Sequence, residues 1–279
     1  KVGRGVVEVQ PGDHAIFTSA YCMQCQLDRE GKGTQCKNKQ KMPQRANLHG
    51  GMIMGGGLSE YIVIPAWQII KIPFDLDFNA AALTEPLACT VHSIKKANIQ
   101  FGETVVIIGL GIMGYFHLKL SLMRGARVIV SEKDKKRQER AHEQGAWMVI
   151  DPTKQNLVEK VRSMTNGLGA DVVINTIPSQ GVWQDAIDVL SPYGRLIAYS
   201  SQDAKDKIGI DFGMIHSKEI QIIGTLNPTL TDNEEAVKMI AYGLIDMTPV
   251  IDASYPFDQG IEAFQKAIAP GMYRVVIRY

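Results

Sequence analysis

Residues 104–132, TVVIIGLGIMGYFHLKLSLMRGARVIVSE, leave this chain few folds to choose from. The run opens with five β-branched residues, Thr104, Val105, Val106, Ile107 and Ile108, which predict a strand buried in a parallel sheet. Gly109, Gly111 and Gly114 follow at G-x-G-x-x-G spacing and open an apolar helical stretch, and residues 127–130 supply a second strand. Glu132 closes the unit about 20 residues beyond the turn. The first glycine permits a tight turn, the second lets backbone approach a pyrophosphate, and the third lets helix meet strand. The helix N-terminus offers unpaired N–H groups to phosphate charge. Three glycines alone describe only a turn. With strand, helix, strand and acid around them they predict a dinucleotide site, with Gly109, Gly111, Ile112, Met113 and Gly114 against the ligand and Glu132 accepting from an adenosine ribose hydroxyl.

The rest of the composition excludes more than it selects. A length of 279 residues, 45% hydrophobic and 21% charged, suggests about two globular domains. Thirty basic and 29 acidic residues give a formal charge of +1, so no overall field draws the chain to nucleic acid or an anionic membrane. His117 and Lys119 interrupt the most apolar stretch, and nothing at Lys1 resembles a signal peptide, so neither a membrane span nor secretion is expected. Three of the four cysteines, Cys22, Cys25 and Cys36, cluster at metal-like spacing, which argues for a reducing, cytoplasmic compartment.

Along the chain, Pro11-Gly12-Asp13 predicts a turn before a strand at 15–17, residues 20–41 a polar surface lobe, 50–57 a glycine loop, and 58–64 an alternating strand stopped by Pro65. Residues 79–97 read as one helix. Beyond Glu132, helices at 135–144, 157–164 and 182–190 alternate with strands at 148–150, 171–175 and 195–200; a polar loop then precedes a strand at 219–225 and a helix at 233–242. Such alternation makes a doubly wound parallel sheet, whose ligand crevice lies at the carboxyl ends of the strands, near Gly109 and Asn175. The tail predicts a strand at 250–255, a helix at 258–268 and a strand at 273–279.

The glycine turn, the cysteine cluster, Gly55-Gly56-Gly57-Leu58-Ser59-Glu60-Tyr61 and Glu85-Pro86-Leu87 occur in an order that resembles the zinc-dependent medium-chain alcohol dehydrogenases, the polyol and threonine dehydrogenase branch above all. The resemblance covers essentially the whole chain. It implies an α/β fold in which a doubly wound parallel Rossmann sheet is inserted into a GroES-like β-barrel catalytic domain. The borders expected are 1–67 and 248–279 for the catalytic domain and 68–247 for the Rossmann domain. It also implies that a segment with further zinc ligands and part of a proton relay precedes Lys1, so this chain alone is expected to bind cofactor and catalyse little.

Cys22, Cys25, Asp28 and Cys36 stand where that family holds a structural zinc with four cysteines; Asp28 replaces the third, and a carboxylate oxygen is an acceptable ligand. The residues alone favour reading Glu85 as a first-turn helical acid beside Pro86; the Glu85-Pro86-Leu87 match to the family implies a catalytic-zinc ligand. Arg137 is carried over as packing on the adenine side, and Asn175 is expected near the cofactor. None of the six histidines has a partner at metal spacing, and none is nominated as a general base. The function implied is hydride transfer between a nicotinamide and a secondary alcohol, a polyol, sugar or amino alcohol, with zinc as Lewis acid. NAD is expected over NADP, since Glu132 would repel a 2′-phosphate, although Lys133 beside it opposes this. A zinc-less reductase or redox sensor of the same fold is the alternative. The apolar strand 219–225 would form a sheet edge, and a homodimer or homotetramer is expected.

Overall fold

The computed structural model describes residues 1–18, 21–38, 58–201 and 207–279. The chain forms two compact units, Lys1–Ala88 with Asn227–Tyr279, and Cys89–Leu226. The glycine loop expected at 50–57 lies outside the described residues.

In the first unit β1 (Ala15–Phe17) pairs antiparallel with β2 (Ile69–Lys71), Ile16 opposite Ile70. Between them the cysteine segment forms a short helix, α1 (Gln26–Arg29), and a 3-10 turn, Gly33–Gln35. Residues 61–65 belong to no strand, so the alternating strand expected at 58–64 is not formed among the described residues. A strand needs a neighbour's hydrogen bonds as well as alternation. The expected helix 79–97 is two helices, α2 (Phe78–Ala81) and α3 (Thr84–Ala97). Pro86 explains the break: in a continuous helix its ring would meet the carbonyl of Ala82, whereas in the first turn of α3 it is tolerated.

The second unit carries a six-stranded all-parallel sheet, with β3 (Thr104–Ile108), β4 (Arg127–Ser131), β5 (Met148–Ile150), β6 (Ala170–Asn175), β7 (Leu190–Ala198) and β8 (Gln221–Gly224) in the spatial order β5-β4-β3-β6-β7-β8. Every residue of β3 is buried, as expected of a central strand covered on both faces. The connecting helices are α4 (Ile112–Met123), α5 (Lys135–Glu143), α6 (Leu157–Met164), α7 (Gln180–Asp188) and α8 (Phe212–Lys218). Helix α4 is apolar nearly all round and eight of its residues are buried. A core of Val106, Ile129, Ile150, Val173, Trp183 and Leu196 with its neighbours lies under the sheet. Strand β7 begins earlier than its apolar run suggests because Leu190 pairs with Ala170 ahead of a register shift; Pro192-Tyr193-Gly194 lies within that irregularity. The polar loop expected before β8 contains α8, whose N-cap Asp211 accepts from the amides of Gly213 and Met214.

The chain returns to the first unit through α9 (Leu230–Ala241), which Thr229 and Asp232 start with a reciprocal capping box. Strand β9 (Ile251–Pro256), helix α10 (Gly260–Ala267) and β10 (Arg274–Arg278) follow, and β9 and β10 pair in parallel. Val237 of α9 joins Ile72 and Ala81 in a small buried cluster.

Candidate functional site

The order β5-β4-β3-β6-β7-β8 places the topological reversal between β3 and β6, and a crevice outside the carboxyl ends of those strands is where such sheets take ligands. A cavity of about 550 Å³ opens there, bordered by Ile108 at the end of β3 and Ser131 at the end of β4. Gly109, Gly111, Ile112, Met113, Gly114, Glu132 and Arg137 all line it.

The three glycines have different reasons to be glycine. Gly109 has φ +89°, and a Cβ there would also lie 2.7 Å from Thr176 Oγ1 and Ile177 Cγ1. A Cβ on Gly114 would lie 2.0 Å from the Gly109 carbonyl oxygen, so only glycine lets α4 start this close to β3. At Gly111 φ is −65° and the nearest atom to a built Cβ is Arg137 Nη1 at 4.0 Å. Among the described residues nothing requires glycine at 111. The room a Cβ would take belongs to the cavity, where backbone can meet a ligand directly. Among the described residues no side chain caps α4, so its first N–H groups face that space with the positive end of the helix dipole.

Glu132 is buried, at 6% exposure. Its Oε2 accepts from the Leu110 amide at 2.6 Å and its Oε1 from the Asp134 amide at 2.9 Å. Each oxygen keeps acceptor capacity for a ribose hydroxyl, and the two amides fix the carboxylate's orientation. Arg137 and Lys133 add positive charge to the lining.

Asn175 is fully buried but does not line the cavity; its Oδ1 accepts from the Ile177 amide at 2.9 Å and so shapes the turn after β6. The residues that follow it do line the cavity. Thr176 donates its hydroxyl to the Ile108 carbonyl at 2.8 Å, and Ile177 forms part of the wall with Pro178, Val182 and Asp185. Sequence reasoning missed them, although their place just after a strand beside the reversal was the available signal. His117 is structural: Nε2 meets Ser93 Oγ and Nδ1 meets the Met113 carbonyl, both at 2.8 Å, and burial pushes it down to about 4.

In the other unit Cys22, Cys25, Asp28 and Cys36 come together, with one ligand atom from each within 4.8 Å of all the others. Tetrahedral zinc with bonds of about 2.3 Å sets thiolates roughly 3.8 Å apart, so the group needs to contract by about an ångström at most. The Cys25 amide lies 3.2 Å and the Gln24 amide 3.5 Å from Cys22 Sγ, donors suited to a thiolate. Asp28 Oδ2 accepts from the Met23 amide at 2.9 Å, while its Oδ1 is buried with no hydrogen-bond partner among the described residues, an acceptor that a cation would satisfy. Burial pushes the Cys36 thiol up to about 11, so a bound cation must draw off that proton. The donor set fits zinc.

Glu85 occupies the first turn of α3, is exposed, and belongs to no group of three potential metal ligands among the described residues. The described residues therefore do not complete a catalytic zinc site around it.

Residues 1–74 match the family model for the alcohol dehydrogenase GroES-like domain, and residues 100–242 match that for the zinc-binding dehydrogenases. Across 99% of its length the chain is 27% identical to D-arabitol-phosphate dehydrogenase of Enterococcus avium, covering 78% of that protein. It is 26% identical to sorbitol dehydrogenase of Halalkalibacterium halodurans, over 95% of this chain and 76% of that one. L-threonine 3-dehydrogenase of Pyrococcus abyssi is 29% identical, over 95% and 74%. Among solved structures, a Sinorhizobium meliloti protein described as a zinc-binding dehydrogenase and bound to NADP superposes with a TM-score of 0.89 at 25% identity, covering all of this chain and 80% of that one. A Thermus sp. ATN1 alcohol dehydrogenase, 20% identical with a TM-score of 0.86 over 100% of this chain and 82% of its own, shares the fold. These matches run against the zinc-less alternative: the chain belongs to the zinc-dependent medium-chain alcohol dehydrogenase family.

Proposed function

We propose that this protein is an NAD-dependent dehydrogenase of secondary alcohols, with a polyol, sugar or amino alcohol as substrate. The observation that carries the reading is the cavity in which the Gly109–Gly111–Gly114 turn, the uncapped N-terminus of α4 and the Glu132 carboxylate converge. The turn and helix end suit a pyrophosphate, and Glu132 suits the two hydroxyls of an adenosine ribose. The dehydrogenase relatives named for sugar alcohols, sorbitol and threonine support the substrate class.

Cys22, Cys25, Asp28 and Cys36 would hold a structural zinc, which closes the lobe on itself. Glu85 is the proposed contributor to a catalytic zinc, which in such enzymes supplies Lewis-acid polarisation of the alcohol oxygen. What the described residues do for the reaction is bind and orient the dinucleotide: the loop amides hold its phosphates, Glu132 fixes one ribose, and Thr176 and Ile177 close the wall beside it.

The reading is tested by titrating the chain with NAD and NADP, each with D-sorbitol and L-threonine as trial substrates. Tighter binding of NAD supports it, and binding of neither dinucleotide overturns it. A reducing, cytoplasmic setting is supported by the four free cysteines, and among the described residues no helix is long and apolar enough to cross a membrane. Self-association into a homodimer, or a tetramer of dimers, is supported by β8, an edge strand with Ile222 exposed. Light scattering at micromolar concentration that reported a monomer would remove that part of the reading.

A further inference from the structure

Helix α7 turns two different faces to its surroundings. Trp183, Ala186 and Ile187 are buried in the core under the sheet, while Ser179, Val182 and Asp185, spaced three apart, face the cavity. Val182 and Ile177 form one apolar wall of the cavity, and Pro152 and Leu157 are also in its lining. With phosphates on the α4 N-terminus and a ribose at Glu132, this apolar part is left for the adenine ring. Asp185 stands one helical turn past Val182, in the lining of that slot.

A carboxylate in the lining of a site for a dianionic ligand is electrostatically out of place unless it meets a donor. The cations in the lining, Lys133 and Arg137, belong to the β4–α5 segment that presents Glu132. Among the described residues, the ionisable group acting on Asp185 is another acid: partial burial, then the Asp188 charge, raises its carboxyl above the usual range. Among the described residues no donor hydrogen-bonds its carboxylate, which stands in the cavity lining with its acceptors open to a ligand. The adenine ring has one N–H donor group, the exocyclic N6 amine.

We propose that Asp185 is a specificity-determining residue that accepts a hydrogen bond from the adenine N6 amine, so that the site distinguishes adenine from a 6-oxo purine. The proposal rests on the dinucleotide reading above. Hypoxanthine places an acceptor oxygen where adenine has its amine, and a carboxylate facing that position repels it; the one N–H donor of hypoxanthine, at N1, lies a ring position away.

The test compares NADH with deamino-NADH, its hypoxanthine analogue, by equilibrium binding to the full chain, read from nucleotide fluorescence. The unmodified chain should prefer NADH by about tenfold, the size of one charge-assisted hydrogen bond at a partly exposed site. Asp185→Ala should bring the ratio close to one by weakening NADH. Asp185→Asn should also bring it close to one, because an amide can accept from the amine or donate to the oxygen. The position is exposed on its helix, and an unchanged unfolding temperature shows that the variants are folded. Equal binding of both nucleotides by the unmodified chain, or a preference that survives Asp185→Ala, overturns the proposal. Binding of neither nucleotide overturns the dinucleotide reading itself, and with it this one.

Discussion

One substitution, glycine to alanine, should act in opposite ways at two positions three residues apart. At Gly114 the added Cβ would fall 2.0 Å from the Gly109 carbonyl oxygen and 2.9 Å from its carbonyl carbon. Both are backbone atoms of a turn already fixed by φ +89°, so neither can swing aside as a side chain could. Overpacking costs about 1–3 kcal/mol where neighbours can relax, and here the upper end applies, about 3 kcal/mol. At roughly 2–4 °C per kcal/mol for a domain of 150 residues or so, the unit Cys89–Leu226 should unfold about 6–12 °C earlier. At Gly111 the φ of −65° suits alanine and the nearest atom is 4.0 Å away. Reduced unfolded-state entropy favours alanine there by about 0.4–1 kcal/mol, and its poorer helix-capping opposes this by a similar amount. Stability should change by less than about 0.5 kcal/mol, while NADH affinity falls about tenfold or more because the methyl occupies the phosphate's approach. Differential scanning calorimetry and fluorescence titration of the two variants read both quantities. A Gly111→Ala protein that loses stability but keeps its affinity, or a Gly114→Ala protein that melts where the parent does, would show the glycines have been given the wrong reasons.

Glu132→Ala should narrow the preference for NAD over NADP and also destabilise the unit by about 1–3 kcal/mol, because the amides of Leu110 and Asp134 lose a charged acceptor; paired titrations and a urea melt read the two effects. Asp28→Ala should lower the zinc content of the purified chain by one equivalent or weaken its retention against a chelator, measured by elemental analysis, whereas Asp28→Cys should strengthen retention. His117 has a folded-state pKa depressed to about 4, so the unfolded chain binds more protons between that value and about 6.5. Stability should therefore fall as pH drops through that window, by roughly 3 kcal/mol for this residue at its lower end, and His117→Gln should flatten that slope in pH-dependent denaturation.

The parts of the site that the sequence made legible are those assembled from neighbours. Gly109, Gly111, Gly114 and Glu132 lie within one strand–helix–strand unit, and Cys22, Cys25, Asp28 and Cys36 within one short lobe, so their spacing already encodes their proximity. The far wall of the cavity was not legible, because Ile177, Val182 and Asp185 reach Gly109 only through the pairing of β3 with β6, some 70 residues on, which no local periodicity reports. Asn175 was placed at the right strand end but one residue early, since an asparagine that turns its carbonyl to the Ile177 amide looks in sequence like one that faces a ligand. Helix α8 was hidden behind a polar stretch because its seven residues are too few for a helical period to show: the Asp211 cap starts it, and Met214 and Ile215 pack it on the core. The division of residues 79–97 into two helices was readable in principle: a proline two residues past Thr84 has to sit in a first turn.

The two amides that grip Glu132 have a consequence for how cofactor choice can change. An acid that only met ribose could be exchanged for a small neutral residue at little cost beyond the lost contact, leaving the neighbouring Lys133 to serve a 2′-phosphate. Here the same carboxylate is the clasp between the glycine turn at Leu110 and the start of the next segment at Asp134. A switch toward NADP by substitution at 132 thus loosens the turn that must hold the phosphates of either cofactor. Routes that leave the acid in place and add positive charge at its rim are cheaper for this chain, so selection or engineering at this site should reach dual use of both cofactors before it reaches a reversal.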